Sequence, residues 1–254
     1  MFKLTCRYTH QGVFVADKGN VFITGAATGI GAATTDQLVR SGYRVFAGVH
    51  QQSGSLAGAR GIRTVPIDVT DPAGVLAAAK DVQEEVGSQG LRAVINNAGV
   101  IVQGPLELVP PDELRRQFEI NTLGPFVCCH HAGLIMMEQE RGGAIVNIGD
   151  WAIERPYRDY SAYFASKGGI PTLTRVFAVE LAPKVRVNAV LPGPVLLPES
   201  VSEAERRRAI AGTLLQRAGR PENIAHAVAA LLENDFITGV CLPVDGGRTL
   251  GDTA

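Results

Sequence analysis

From residue 20 onward the chain alternates between two hydrophobic rhythms. Short runs rich in β-branched and aliphatic residues, "NVFITG", "YRVFAGV", "IRTVPIDV", "LRAVINNAG", "GAIVNIG", "VRVNAVLPG" and "GVCLPVDGG", are bounded by glycine, proline or polar residues and predict seven strands. Between them lie longer stretches of helical pattern, at about 30 to 41, 71 to 87, 112 to 138, 161 to 182 and 221 to 233. Several of the short runs are apolar at successive positions, as expected of strands covered on both faces. Strand–helix alternation predicts an α/β fold with a parallel sheet between helical layers. Right-handed crossovers make such a sheet doubly wound.

Nothing in the pattern suggests an internal repeat or a linker, so residues 20–254 are expected to form a single domain. Residues 1–19 are expected to be an irregular N-terminal extension. The segment 194–212, "PVLLPESVSEAERRRAIAG", breaks the rhythm with prolines and then a charged helix. It is expected to lie over the carboxyl edge of the sheet as a substrate loop or lid. Its "ERRR" reads as a solvated helix face, with an anion site as the alternative.

Composition narrows the function classes. With 46% hydrophobic and 19% charged residues the chain reads as globular. A formal net charge of -1 and the lack of a basic face argue against nucleic acid as a partner. No apolar run approaches the roughly 20 residues that span a bilayer, and the first residues make a poor signal peptide. A cytoplasmic protein is the default expectation. The four cysteines lack metal-site or disulfide spacing. "CCHH" at 128–131 cannot converge on one ion from a helix, because successive residues point about 100° apart. It reads as a buried helix face.

"VFITGAATGIGAAT" follows the first predicted strand of the sheet and opens the first helix. Gly25 permits a sharp turn, Gly29 lets the backbone approach a pyrophosphate, and Gly31 allows close helix–strand packing. The helix N-terminus then offers free N–H groups to the phosphates. The spacing is Gly-x-x-x-Gly-x-Gly rather than the commoner dinucleotide fingerprint. Further along stand "NNAG" at 96–99, Tyr163-x-x-x-Lys167, "LPGPV" at 191–195 and "PVDGG" at 243–247. Five such pieces in this order resemble the short-chain dehydrogenase/reductase family, whose single Rossmann-like domain would cover nearly the whole chain after residue 19.

The resemblance implies roles. Tyr163 matches the catalytic tyrosine, Lys167 the lysine that holds the nicotinamide ribose, and Asn121 the asparagine that props a water-linked proton relay. Gly25, Thr28, Gly29, Ile30 and Gly31 would meet the cofactor phosphates. Asn97, Ala98 and Gly99 would pass its ribose, Asp68 and Val69 its adenine, and Pro192 and Gly193 its nicotinamide. On a helix Tyr163 and Lys167 lie one turn apart on one face. A free phenol has a pKa of about 10, and a lysine charge beside it is expected to lower that value.

Most of the family carries a serine thirteen positions before the tyrosine, where it bonds the substrate carbonyl. Here that position is Asp150. An ionised carboxylate about 4 Å from a developing alkoxide repels it by ~4 kcal/mol at an effective dielectric of about 20. Either Asp150 is protonated or the acceptor develops no oxyanion, and a C=N bond satisfies both conditions. The substitution resembles the pteridine reductase branch, which implies reduction of a dihydropterin or dihydrofolate with Asp150 and Tyr163 delivering the proton. That branch places an aromatic where this chain has Ile101; Trp151 or Tyr157 could supply the aromatic wall instead. Carbonyl reduction with a protonated Asp150, and non-catalytic nucleotide sensing, stand as alternatives. After the second strand of the sheet, "VFAGVHQQSGS" lacks the acid that NAD-specific members use for the ribose 2′-hydroxyl. His50, Gln51, Gln52 and Ser53 could donate hydrogen bonds to a 2′-phosphate, so NADP is the expected cofactor. The family resemblance and the apolar helices at about 112–138 and 161–182 imply a homotetramer, or at least a dimer.

Overall fold

The computed structural model describes residues 6–8, 14–50, 60–197 and 201–251. Gln51, Gln52 and Ser53 lie outside the described residues. Seven strands form one parallel sheet: β3 (Asn20–Thr24), β4 (Arg44–Val49), β5 (Ile62–Pro66), β6 (Leu91–Asn96), β7 (Gly143–Ile148), β8 (Val185–Pro192) and β9 (Cys241–Val244). Their order is β5-β4-β3-β6-β7-β8-β9, with every neighbour parallel. The fold is the α/β, Rossmann-like architecture that the alternating pattern predicts.

Helices cover both faces. On one side α2 (Pro72–Val86), α4 (Gly124–Glu138) and α6 (Gly169–Glu180) bring Val82, Met136 and Phe177 onto Phe22, Val94 and Ile145 of the strands. On the other side α1 (Gly29–Arg40) and α8 (Pro221–Glu233) bring Leu38 and Val228 onto Val21, Ile23 and Ile95. Along β3, Phe22 thus faces one layer while Val21 and Ile23 face the other. That period of two, with apolar residues on both faces, is why the strands read as unbroken apolar runs.

From β3 the chain builds β4 and β5 to one side and then crosses to β6 on the other. The loops after β3 and β6 therefore diverge at the carboxyl edge, opening the crevice where doubly wound sheets bind ligands.

Three expectations change. Residues 1–19 are not wholly irregular: β1 (Cys6–Tyr8) and β2 (Phe14–Ala16) pair as an antiparallel ribbon. The helix expected over 112–138 is α3 (Pro111–Phe118) and α4 joined by a π-helical turn, Glu119–Leu123, where the Gly124 N–H bonds back to the Glu119 carbonyl. Pro125 has no N–H to give the Asn121 carbonyl its α-helical partner, which favours the wider turn. Likewise the helix over 161–182 is α5 (Ser161–Lys167) followed by α6, and Pro171 denies the Lys167 carbonyl its helical donor. Both prolines fall four residues after a predicted site residue. In the 194–212 segment the charged helix is α7 (Glu203–Ala211), opened by a reciprocal Ser202–Glu205 cap.

Cys128 and Cys129 are buried on α4, where Cys129 Sγ lies 3.2 Å from Asn96 Nδ2. Burial pushes the Cys128 thiol up to about 12. The pair is a buried helix face.

Candidate active site

The turn after β3 is set by close approach. Gly25 has φ +65°, and a Cβ there would lie 2.9 Å from Ala98 Cα; one on Gly31 would lie 2.0 Å from the Gly25 carbonyl oxygen. The two loops at the crevice are tied together. Asn97 Nδ2 donates to the carbonyls of Thr24 (3.0 Å) and Gly25 (2.9 Å), and Thr24 Oγ1 accepts from the Asn97 and Ala98 N–H groups. Thr28 precedes α1 in an extended conformation and makes no side-chain cap. The first N–H groups of α1 thus have no side chain competing with an anion.

At the edge of the crevice His50 Nε2 lies 3.3 Å from Asp68 Oδ2. The Asp68 carboxyl also accepts from the Thr70 N–H and hydroxyl, which hold it below its usual value. Val69 packs instead against the core, and a Cβ on Gly124 would lie 3.0 Å from its Cβ. At the end of β8, Gly193 passes so close to the next strand that a Cβ would lie 2.4 Å from Asp245 Cα.

The chemistry-bearing residues meet above β7 and β8. Asp150, just past β7, accepts from the Ala152 N–H (2.8 Å) through Oδ1 and from the Tyr163 hydroxyl (2.8 Å) through Oδ2. One turn along α5, Lys167 Nζ donates to the Ile148 carbonyl at 2.9 Å. A Cβ on Gly99 would come within 3.3 Å of Lys167 Nζ and 3.2 Å of Asn121 Oδ1. Asn121 holds the loop after β6 with both ends of its amide: Oδ1 accepts from the Val100 N–H (2.9 Å), and Nδ2 donates to the Val100 carbonyl (2.8 Å) and Ser166 Oγ (2.9 Å). Ser166 Oγ donates in turn to the Tyr163 carbonyl, 2.7 Å. The π-helical turn is what aims Asn121 into this network.

Electrostatics correct one expectation. Burial first, then the Asp150 carboxylate, holds the Tyr163 phenol well above its usual value. Lys167 does not lower it in this arrangement, because its ammonium is turned to the Ile148 carbonyl. Burial raises Asp150 against the pull of the Ala152 N–H, the Tyr163 hydroxyl and the Lys167 charge. It lowers Lys167 to about 8, with Asp150 pulling the other way.

These groups floor a cavity of about 460 Å³. Ile30, Asn97, Gly99, Ile101, Pro192 and Gly193 line one part of it, and Val201, Glu205, Arg208 and Ala209 of the 194–212 segment line another. Trp151 and Tyr157 both face it, stacked with ring centroids 6.3 Å apart at 27°. Arg248 also faces it and is absent from the sequence reading, since no motif marks it.

A glycine-lined crevice at the switch point of a doubly wound sheet, next to a Tyr–Lys–Asn–Asp constellation, defines a dinucleotide-binding oxidoreductase site. A family model described as enoyl-(acyl carrier protein) reductase matches residues 25–249. The 2-(S)-hydroxypropyl-CoM dehydrogenase 3 of Xanthobacter autotrophicus is 33% identical, covering 90% of this chain and 96% of that protein. The dihydromonapterin reductase of Klebsiella pneumoniae is 28% identical, over 91% and 96% respectively. Among solved structures, a 3-ketoacyl-(acyl-carrier-protein) reductase from Brucella melitensis complexed with NADH is similar at a TM-score of 0.84 and 28% identity, covering 92% of this chain and 99% of that one. The chain belongs to the short-chain dehydrogenase/reductase family, oxidoreductases that use a nicotinamide dinucleotide.

Proposed function

We propose that this protein is an NADPH-dependent reductase of a C=N bond in a pterin-like substrate of the dihydropteridine or dihydrofolate type. The observation that carries the reading is the 2.8 Å hydrogen bond between Tyr163 and Asp150 on a buried floor. Reduction of C=N adds a hydride to carbon and a proton to nitrogen. The hydride is the chemistry the dinucleotide supplies when bound. The proton falls to this chain.

Asp150 sits where an acid is useful and an ordinary carboxylate is not. Burial biases it toward the protonated form, and its partner Tyr163 carries a phenol that also keeps its proton. A ring nitrogen accepting that proton gains a neutral donor without facing the repulsion that an alkoxide would meet from a carboxylate. Trp151 and Tyr157 supply the aromatic surface that Ile101 lacks. The similarity to a dihydromonapterin reductase agrees with this substrate class.

The crevice fits the cofactor on structural grounds. Gly25 and Gly31 leave no room for a side chain where the backbone turns, and the open start of α1 suits a pyrophosphate. Lys167 and Gly99 lie together and would hold the ribose, with Asn121 bracing the loop that carries Gly99. At the end of β4 His50 has no acidic neighbour within its own strand, although Asp68 engages it. NADPH is the proposed partner because no acid follows β4 among the residues "HQQS". Assembly as a homotetramer, or at least a dimer, is proposed from exposed apolar side chains: Leu123 at the end of the π-helical turn, Phe126 and Leu134 on α4, and Val176 and Val179 on α6.

The second reading is a carbonyl reductase, and the raised Asp150 favours it equally: a neutral carboxyl can donate to a ketone oxygen. NADPH oxidation measured on dihydrobiopterin, dihydrofolate, simple ketones and 3-oxoacyl thioesters separates the two. Turnover confined to the carbonyl compounds removes the pterin reading.

A further inference from the structure

The proton chemistry leaves part of the cavity wall unexplained, and that part is cationic. Arg248, Arg208 and Arg158 face the same space as Asp150 and Tyr163. Arg248 is seated rather than loosely extended. Its guanidinium carbon lies 5.4 Å from the centroid of the Trp151 ring. A Cβ on Gly212 would fall 0.8 Å from Arg248 Nη1 and 2.0 Å from Cζ. The guanidinium therefore occupies the space a side chain at position 212 would need. Its backbone is held in a tight turn, with the Arg248 N–H on the Asp245 carbonyl (3.3 Å) and the Asp245 carboxylate on the N–H groups of Gly247 and Thr249.

Arg208 reaches the wall from another direction. It stands one turn before Gly212 on α7, and the Gly212 N–H bonds its carbonyl at 3.0 Å. Gly212 thus joins the two arginines: it ends the helix that carries one and makes room for the other.

Acids also face the cavity. Glu205 Oε2 is engaged by the Ser202 N–H and hydroxyl that cap α7, and Arg208 lies close enough to act on it. Glu205 and Asp159 both act on Tyr160, whereas Arg248 and Asp150 both act on Tyr157. Glu205 and Asp159 thus lie toward Tyr160, and the seated guanidinium lies toward the Trp151–Tyr157 wall. A guanidinium already fixed over an aromatic face loses little freedom on binding and presents a planar fork that matches a carboxylate.

We infer that the substrate carries an anionic group, a carboxylate or an acid of similar size, remote from the reacting bond, and that Arg248, assisted by Arg208, is a specificity-determining residue that binds it. The inference rests on the oxidoreductase reading of this cavity and not on its pterin form. It selects a carboxylate-bearing member within either substrate class.

Trp151 is the chain's single tryptophan, so its fluorescence reports occupation of this wall without any turnover. Benzoate and benzamide are a nearly isosteric pair that differ in charge. Titrated against the full chain, benzoate is expected to bind about tenfold more tightly at low ionic strength, and the advantage should shrink as salt is raised. Arg248→Gln should reduce the benzoate-to-benzamide ratio to about threefold or less, and Arg248→Lys should retain part of it. Arg208→Gln, on an exposed helix whose change spares the packing, should lower the ratio by a smaller factor. Equal affinities in the unaltered protein, or a ratio that survives both glutamine variants, overturn the inference. A turnover arm separates it from the pterin reading: dihydrofolate against dihydrobiopterin, and 4-oxopentanoate against its methyl ester. Preference for the keto acid with no pterin turnover removes the pterin reading and sustains the anion site. Equal use of dihydrofolate and dihydrobiopterin does the reverse.

Discussion

The Tyr163 hydroxyl donates directly to Asp150 Oδ2 across 2.8 Å, with the other carboxylate oxygen held by the Ala152 N–H. Burial and the Asp150 carboxylate make Tyr163 hold its proton more tightly, while burial raises Asp150 against the opposing pull of the Tyr163 hydroxyl. A phenolate beside a carboxylate would repel it, and the site is too buried for water to screen the repulsion. The floor of the cavity is thus an acid pair rather than a phenol activated by lysine.

Exchange at the pair should separate substrate classes. Asp150→Ser is expected to lower turnover of a dihydropterin by ~10²–10⁴-fold, since general acid catalysis is commonly worth that much. It should spare or raise activity on a plain ketone, where the serine hydroxyl can itself donate to the substrate oxygen. Tyr163→Phe should lower both. The check is kcat/KM of the three proteins on both substrates, with unchanged pterin reduction in Asp150→Ser counting against a chemical role for Asp150.

Cofactor affinity should depend on pH through Lys167. Its folded pKa is depressed to about 8, so the ammonium is present below that pH and lost above it. A ribose donor with full hydrogen-bonding capacity is therefore expected below about 8, and affinity should fall as pH rises through that value. The same depression sets a sign for stability. The charged form is disfavoured by burial, so the folded state gains relative stability as pH rises from about 8 toward the usual lysine value. Fluorescence titration of NADPH from acid to alkaline pH tests the first point; a flat profile contradicts it.

Gly31→Ala should abolish cofactor binding and lower stability by roughly 1–3 kcal/mol, because the added carbon would lie 2.0 Å from the Gly25 carbonyl oxygen. Gly142→Ala is the comparison. Its Cβ would lie 1.9 Å from the Lys184 carbonyl oxygen, at φ +60° and far from the crevice. It should lower thermal stability while the surviving folded protein binds cofactor normally. Paired melting curves and NADPH titrations distinguish a binding turn from a merely crowded one.

NADPH is expected to bind more tightly than NADH, since "VFAGVHQQS" offers donors and no acid to a 2′-phosphate. Competitive titration of the two cofactors gives the ratio directly, and equal or tighter NADH binding refutes the preference.

Light scattering at micromolar concentration should return a tetramer, or at least a dimer. Phe126 and Leu134 are spaced along one face of α4, and Val176 and Val179 along α6. Leaving that much apolar surface in water is unfavourable at about 25 cal/mol per Å². A species near the 26.9 kDa of one chain would exclude this assembly.

Much of the molecule follows from local pattern. Strand and helix succession is set by hydrophobic period, which any segment carries within itself, so the seven strands and their doubly wound parallel class were legible in the chain, while the order of the strands came from the folded sheet. The same holds for the glycine turn that follows β3 and for the one-turn spacing of Tyr163 and Lys167 on α5, which are local features of backbone and helix geometry. Asp150 was legible as a departure, by its spacing from Tyr163. What the pattern could not supply is anything that depends on which distant groups meet. The breaks at Asn121 and Gly168 were hidden because a single missing N–H at Pro125 or Pro171 leaves the apolar period intact. The direction of the Tyr163 shift was misread because it is governed by burial and by where Lys167 points, and both are properties of the packed state. Arg248 carries no motif at all. Its place over Trp151 exists because Gly212, 36 positions earlier and at the end of another helix, has no side chain to exclude it. Local sequence encodes backbone conformation through short-range sterics and hydrogen bonding; the field and shape of a site arise from contacts between segments far apart in the chain, and those exist only once the chain has folded.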